Sequence, residues 1–112
     1  MTVFEKIAAG QIPAKMILEA EDFIAFHDIS AQAPVHVLIV PRKCIPRLAE
    51  ADAAHADLLG RMLLATREIA EKLGVIGSGY RVVINNGRDA GESVPHLHIH
   101  LLAGRALAWP PG

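Results

Sequence analysis

His96-Leu97-His98-Ile99-His100-Leu101-Leu102 is the stretch on which the fold turns. Along a β-strand alternate side chains face opposite ways. The run therefore predicts a strand over His96 to Leu102, with Leu97, Ile99 and Leu101 on a core face. His96, His98 and His100 share the other face. The outer two imidazoles then leave the backbone about 13 Å apart, at roughly 3.3 Å per residue. Alternation alone asks only for polar residues opposite the apolar set; three imidazoles are a chemical choice.

Working outward, Tyr80 to Asn85 predicts the preceding strand, separated from the histidines by the polar, glycine-containing loop Asn86 to Val94. Val35 to Val40 is almost wholly apolar and β-branched, the pattern of a strand covered on both faces and ended by Pro41. Lys15 to Glu19 and Asp22 to His27 read as two short strands across the turn Ala20-Glu21. Val3, Phe4, Ile7 and Ala8 suit one short amphipathic helix over residues 3 to 9, closed by Gly10. Ala53 to Leu73 is the clearest helix. Asp52 stands at its N-cap, Leu58, Met62, Thr66, Ile69 and Leu73 form its stripe, and Gly74 stops it. It would be roughly 30 Å long. The element order predicts an α+β fold, a five-stranded antiparallel sheet with one long and one short helix. Its edge strands need protection, and pairing with a second copy in a homodimer provides it.

At 112 residues the chain predicts one domain, and 52% hydrophobic against 21% charged residues excludes a disordered tail. A formal charge of −1 argues against the broad basic face that nucleic-acid binders use. No apolar run approaches the ~20 residues needed to span a bilayer, and Met1 to Lys6 lacks the pattern of a signal peptide. Cys44, the single cysteine, makes neither an internal disulfide nor a cysteine-based zinc site. These features predict a cytoplasmic protein with no nucleic-acid or membrane partner.

Three readings of the histidine row stay open on the residues alone. It is a polar face looking at solvent, a metal site, or an anion site where imidazoles donate to, accept from or attack a phosphoryl group. Three imidazoles spread over that distance do not easily share one ion, so a metal would need a partner from elsewhere. The loop Gly87-Arg88-Asp89-Ala90-Gly91-Glu92-Ser93 offers backbone N–H groups and a hydroxyl, the ingredients of a phosphate concavity. Asn85 adds an amide nearby. His55 reads as a surface or capping residue, and Cys44 as an edge or buried thiol.

The heptapeptide resembles the His-x-His-x-His-apolar-apolar signature of the histidine triad family. Similarity continues through Ile12-Pro13-Ala14-Lys15, Ala25-Phe26-His27-Asp28-Ile29-Ser30, Gln32-Ala33-Pro34-Val35-His36 and Gly79-Tyr80-Arg81. Gly104-Arg105 and Trp109-Pro110-Pro111-Gly112 are similar to its nucleoside-phosphoramidase branch, more than to its dinucleoside polyphosphate hydrolases. The resemblance implies a purine nucleoside phosphoramidase that needs no metal or other cofactor. Its nucleophile would be His98, forming a nucleotidyl-histidine. His100, Asn85, Ser93 and the backbone at Gly91-Glu92 would hold phosphate oxygens. His96 would sit near the leaving amine, and His36 would relay protons. Asp28 would bind the ribose, with the base in a slot formed by Val3, Phe4, Ile7, Phe26, His27 and Ile29. A Cys-x-x-Cys zinc pair found in some bacterial relatives is replaced here by Thr2-Val3-Phe4-Glu5. Pro95 stands where an aromatic residue is common, which bears on leaving-group preference, and Trp109 would lie at a dimer contact. The competing functions are a nucleotide-binding or interaction protein with little turnover, a dinucleoside polyphosphate hydrolase of the same family, and a metal-binding protein.

Overall fold

In the computed structural model, which describes all 112 residues, five strands form one antiparallel sheet in the order β1-β2-β3-β5-β4. Their bounds are β1 Met16–Glu19, β2 Phe23–His27, β3 Val35–Pro41, β4 Tyr80–Val83 and β5 Ile99–Ala103. Helix α1 spans Val3–Ala8 and α2 spans Ala56–Lys72. The expected α+β architecture is present. β3 lies at the centre because both of its faces are apolar: Val37 and Ile39 enter one core cluster, Leu38 and Val40 the other.

One face of the sheet packs on α2. Met62, Ala65, Ile69 and Ala70 of that helix meet Phe23, Ala25, Val37, Ile39, Leu97, Ile99 and Leu101. Met62 and Ile69 are wholly buried, each worth about 1.5–3 kcal/mol of transfer free energy. The other face is covered by α1, whose Phe4 and Ile7 pack on Ile24, Phe26, Leu38 and Val40. The six-residue α1 is too short to persist alone. A reciprocal capping box holds its start: Glu5 N–H donates to Thr2 Oγ1 (3.1 Å) and Thr2 N–H donates to Glu5 Oε1 (2.9 Å).

Three boundaries differ from expectation by more than one residue. The long helix begins at Ala56, about 26 Å of α-helix by its 17 residues. Asp52 caps instead a 3₁₀ turn over Ala53–His55, accepting from Ala54 N–H. β4 ends at Val83 rather than Asn85, and β5 begins at Ile99 rather than His96. Before Ile99 the chain leaves the ladder because its N–H groups find other acceptors: Leu97 donates to Ile45 O at 2.6 Å and His96 to Val94 O at 2.8 Å. His96 and His98 therefore stand on the approach to β5, and only His100 lies within it. Leu97, Ile99 and Leu101 nevertheless all face the α2 core, as the alternation requires. The histidine face is not a solvent face, since His96 is 0% and His98 5% exposed beneath α1.

At the far end of β5, Gly104 (φ +93°) turns the chain hard against Pro34; a Cβ there would stand 2.8 Å from Pro34 Cβ. That close approach packs the start of the loop after β5 against the end of the loop 28–34, whose first residue is Asp28.

Candidate active site

Sheet register assembles the site. Leu38 of β3 pairs with His100 of β5, and His36 pairs with Leu102, so His36 and His100 are diagonal neighbours on one face. Their Nε2 and Nδ1 atoms lie 2.9 Å apart. Asp28, just past β2, is drawn beside them by its N–H bond to His36 O (2.9 Å). One of its carboxylate oxygens accepts from Ser30 N–H, and the other stands 3.3 Å from His36 Nε2.

The protons in this chain follow from the partners. Gln32 N–H can only donate, so His36 Nδ1 accepts it at 3.0 Å and the proton sits on Nε2. That proton faces Asp28 and His100 Nδ1. His100 Nδ1 is then an acceptor, and its own proton is on Nε2. His100 Nε2 is the one buried side-chain nitrogen or oxygen without a hydrogen-bond partner. An orphaned buried donor is costly and marks where an acceptor from outside would go.

His98 is oriented the opposite way. Its Nδ1 lies 2.7 Å from the carbonyl of His96, which can only accept, so Nδ1 carries the proton and Nε2 presents a lone pair. Its ring lies edge-on to Phe4 (centroids 5.1 Å) and to His100 (4.9 Å). A nucleophilic nitrogen thus stands beside a free N–H donor.

His96 sits behind both. Its Nε2–H donates to Pro41 O and its Nδ1 meets Thr2 Oγ1, each at 2.7 Å. With both nitrogens engaged and the residue wholly buried, its surroundings are those of a brace; the place near a leaving group that the resemblance implied would require an open ring nitrogen.

Burial lowers the pKa of His36, His96 and His100, the last to about 4, where the neighbouring His98 and His36 also disfavour its charge. All three are neutral at pH 7. In the unfolded chain the same imidazoles take up protons near pH 6.5, so acidification favours unfolding. We expect the stability present above about pH 6.5 to be lost progressively toward pH 4. Thermal unfolding midpoints measured from pH 7.5 to pH 4.5 check this; a flat profile over that range would contradict it.

An apolar cavity of about 950 Å³ adjoins the histidines through Phe4 and Asp28. All six residues of the expected base slot line it, Val3, Phe4, Ile7, Phe26, His27 and Ile29, together with Asp28. Ile12, Pro13, Ala14, Lys15 and Leu38 complete the wall without having been expected there. Ile29, fully exposed, stands at the mouth.

The loop before β5 is shaped by an ion pair. Arg47 Nε donates to Glu92 at 3.0 Å, and the same carboxylate accepts Gly87 N–H at 3.0 Å. These contacts, Arg47 foremost, hold the Glu92 carboxyl below the usual carboxylate range. Glu92 thus folds its charge back onto the loop. Gly91 takes the left-handed conformation (φ +83°), which suits glycine. Asn85 is half-buried and Ser93 exposed.

Two groups of donor atoms lie within 4.8 Å of one another, Asp28–His36–His100 and Glu5–Cys44–His96. Hydrogen bonds already close both. In the second, Glu5 accepts from Thr2 N–H and Cys44 Sγ–H donates to Pro95 O at 3.3 Å. The three triad rings do not converge on a common point, because His96 is turned to Thr2 and Pro41.

A family model for the HIT domain matches residues 9–107, which contain the whole histidine cluster and all but the α1 wall of the cavity. The chain belongs to the HIT domain family. A HIT-like protein of Synechococcus elongatus is 50% identical over 111 residues, spanning 99% of this chain and 96% of its own length. A second HIT-like protein, from Synechocystis, is 48% identical over the same shares. The solved structure of a HIT family hydrolase from Legionella pneumophila superposes with a TM-score of 0.97 at 40% identity, each chain wholly covered. A histidine triad nucleotide-binding protein from Candida albicans gives a TM-score of 0.84 at 30% identity, covering 98% of this chain and 83% of its own. This HIT chain thus shares the fold of proteins named as hydrolases and of one named for binding nucleotides. None of its helices is long and apolar enough to cross a membrane.

Beyond those five wall residues of the cavity, sequence reasoning also passed over Thr2 and Arg47. Thr2-x-x-Glu5 before an apolar run carries the capping-box signal, but nothing local says that the same hydroxyl reaches a histidine 94 positions away. Arg47 had no sequence signal at all.

Proposed function

We propose that this HIT protein hydrolyses the P–N bond of purine nucleoside 5′-phosphoramidates through a covalent nucleotidyl-His98. The observation that carries this reading is the opposed pair of imidazoles: a lone pair on His98 Nε2 beside an unpartnered N–H on His100 Nε2. A phosphoryl group needs both, an attacking nitrogen and a donor for the oxygen on which charge builds.

The base lies in the apolar cavity and Asp28 accepts from the ribose hydroxyls. A proton from solvent goes to the phosphoramidate nitrogen as His98 Nε2 bonds to the α-phosphorus, and the P–N bond breaks to release the neutral amine. Water then adds to phosphorus and gives up a proton to solvent, the P–Nε2 bond breaks to return neutral His98, and the nucleoside monophosphate departs. His36 acts through His100, setting its tautomer and serving as its proton partner. Asn85, Ser93 and the backbone at Gly91-Glu92 cradle the remaining phosphate oxygens. The pairing of Glu92 with Arg47 supports that role, because an unneutralised carboxylate would repel a phosphate. No step calls for a metal or other cofactor.

A homodimer whose sheet continues from one copy to the next fits the exposed features. β4 is an edge strand, and α2 exposes Leu63 (47%) and Leu64 (71%). Trp109, near the C-terminus, stacks on Arg81 of β4 (5.8 Å) and so stands at the same edge.

The test is intact-mass spectrometry during turnover of an adenosine phosphoramidate. A species heavier by one nucleotide, with the label mapping to His98, is the expected result. A label on another side chain would overturn the mechanism. AMP binding with no cleavage would favour the nucleotide-binding alternative.

A further inference from the structure

The hydroxyl of Thr2 closes a hydrogen-bonded line that ends on the proposed nucleophile. Pro41 O can only accept, so His96 carries its proton on Nε2, and burial keeps the ring neutral. His96 Nδ1 is therefore an acceptor, and the only donor at it is Thr2 Oγ1–H, 2.7 Å away. The lone pairs of the same oxygen accept Glu5 N–H at 3.1 Å. Beyond the ring, the backbone carbonyl of His96 receives His98 Nδ1–H. One hydroxyl thus caps α1, satisfies a buried imidazole, and through that imidazole's own backbone bears on the bond that orients His98.

The arrangement also joins the two halves of the site. Phe4, two residues beyond Thr2, lies edge-on to both His96 (5.6 Å) and His98 (5.1 Å) and forms part of the cavity wall. If α1 were held by its apolar contacts alone, Phe4 and Ile7 would suffice; the Thr2 to His96 bond adds direction, which apolar packing lacks.

We infer that Thr2 is a positioning residue for His98, acting through the tautomer and placement of His96, and that the Thr2 Oγ1–His96 Nδ1 bond is what keeps α1 in register with the histidine row. The inference rests on the proposed reading of His98 as nucleophile, but its structural core stands without it.

Three variants separate this role from simple helix capping. Thr2→Val removes the hydroxyl and keeps the shape. Thr2→Ser keeps the hydroxyl. Glu5→Ala removes half of the capping box and leaves the bond to His96 intact. With a fluorogenic adenosine phosphoramidate, kcat should fall about tenfold in Thr2→Val, with a smaller change in KM, the size expected for loss of one buried hydrogen bond. Thr2→Ser should restore kcat to within about twofold, and Glu5→Ala should leave it within the same range while lowering the thermal midpoint. Unchanged kcat in Thr2→Val, or equal losses in Thr2→Val and Glu5→Ala, would overturn the inference. Long-range ¹H–¹⁵N spectra of the imidazoles, taken without substrate, give a readout independent of turnover. His96 should be the Nε2–H and His98 the Nδ1–H tautomer in the wild type and in Thr2→Ser, with mixed or exchange-broadened His98 signals in Thr2→Val. Identical spectra in all three would overturn the inference even if the protein cleaves no phosphoramidate. The expected spectral change in a protein without turnover would uphold it and count only against the proposed reaction.

Discussion

Replacing His98 with alanine should abolish phosphoramidate turnover, by a factor on the order of 10³ or more, while AMP still binds. The size follows from removing the atom that would form the covalent bond, a loss for which neighbouring groups compensate poorly. Binding survives because the elements assigned to it lie elsewhere: the cavity wall on α1 and β2, and the Asp28 carboxylate held by Ser30 N–H. The fold should survive too. The substitution strands one carbonyl, that of His96, at a cost of about 1–3 kcal/mol, a fraction of the stability of a small domain. Steady-state rates and calorimetric titration with AMP on the same preparation check both halves. A residual rate within tenfold of wild type would remove His98 from the mechanism. Lost AMP binding in a folded variant would mean that the ring serves recognition instead.

His96→Ala should behave quite differently, although the two histidines are only two residues apart. The ring of His96 is wholly buried and joins Thr2, the N-cap of α1, to Pro41 of β3. Its removal leaves a cavity and an unpaired carbonyl, and frees the N-terminal helix. Together these should cost about 3 kcal/mol, which lowers the thermal midpoint by roughly 10 °C for a chain of this length. AMP affinity should drop along with kcat, because Phe4 and Ile7 form the cavity wall and depend on α1 being docked. A group that served only to protonate the leaving amine would show the reverse, unaltered melting and unaltered AMP binding with a selective loss of kcat. Melting curves and AMP titrations of this single variant distinguish a brace from an acid.

Much of this was legible in the order of residues. The alternation at 96–102 placed Leu97, Ile99 and Leu101 in the core although regular pairing begins only at Ile99. Side-chain alternation needs an extended backbone, not a ladder, so the faces were right where the strand boundary was not. Val35 to Val40 read as doubly covered, and it is the central strand. The expected base slot lines one cavity in full because those residues lie on α1 and at the end of β2, which share one face of the sheet.

Periodicity and motif by themselves determined the α+β class, the core faces, the family signature and the run of imidazoles that meet at the candidate site, since each depends on local spacing along the chain. Only the tertiary structure decided which nitrogen of each imidazole carries the proton and what that nitrogen meets. Whether a ring nitrogen holds a proton or a lone pair depends on the partner facing it, and those partners, Thr2 and Pro41 for His96 and His36 for His100, come from segments 94, 55 and 64 residues away. Three histidines identical in sequence pattern become a ring bonded at both nitrogens, a ring with its proton on Nδ1 and a ring with an unpartnered donor because folding gives each a different neighbour.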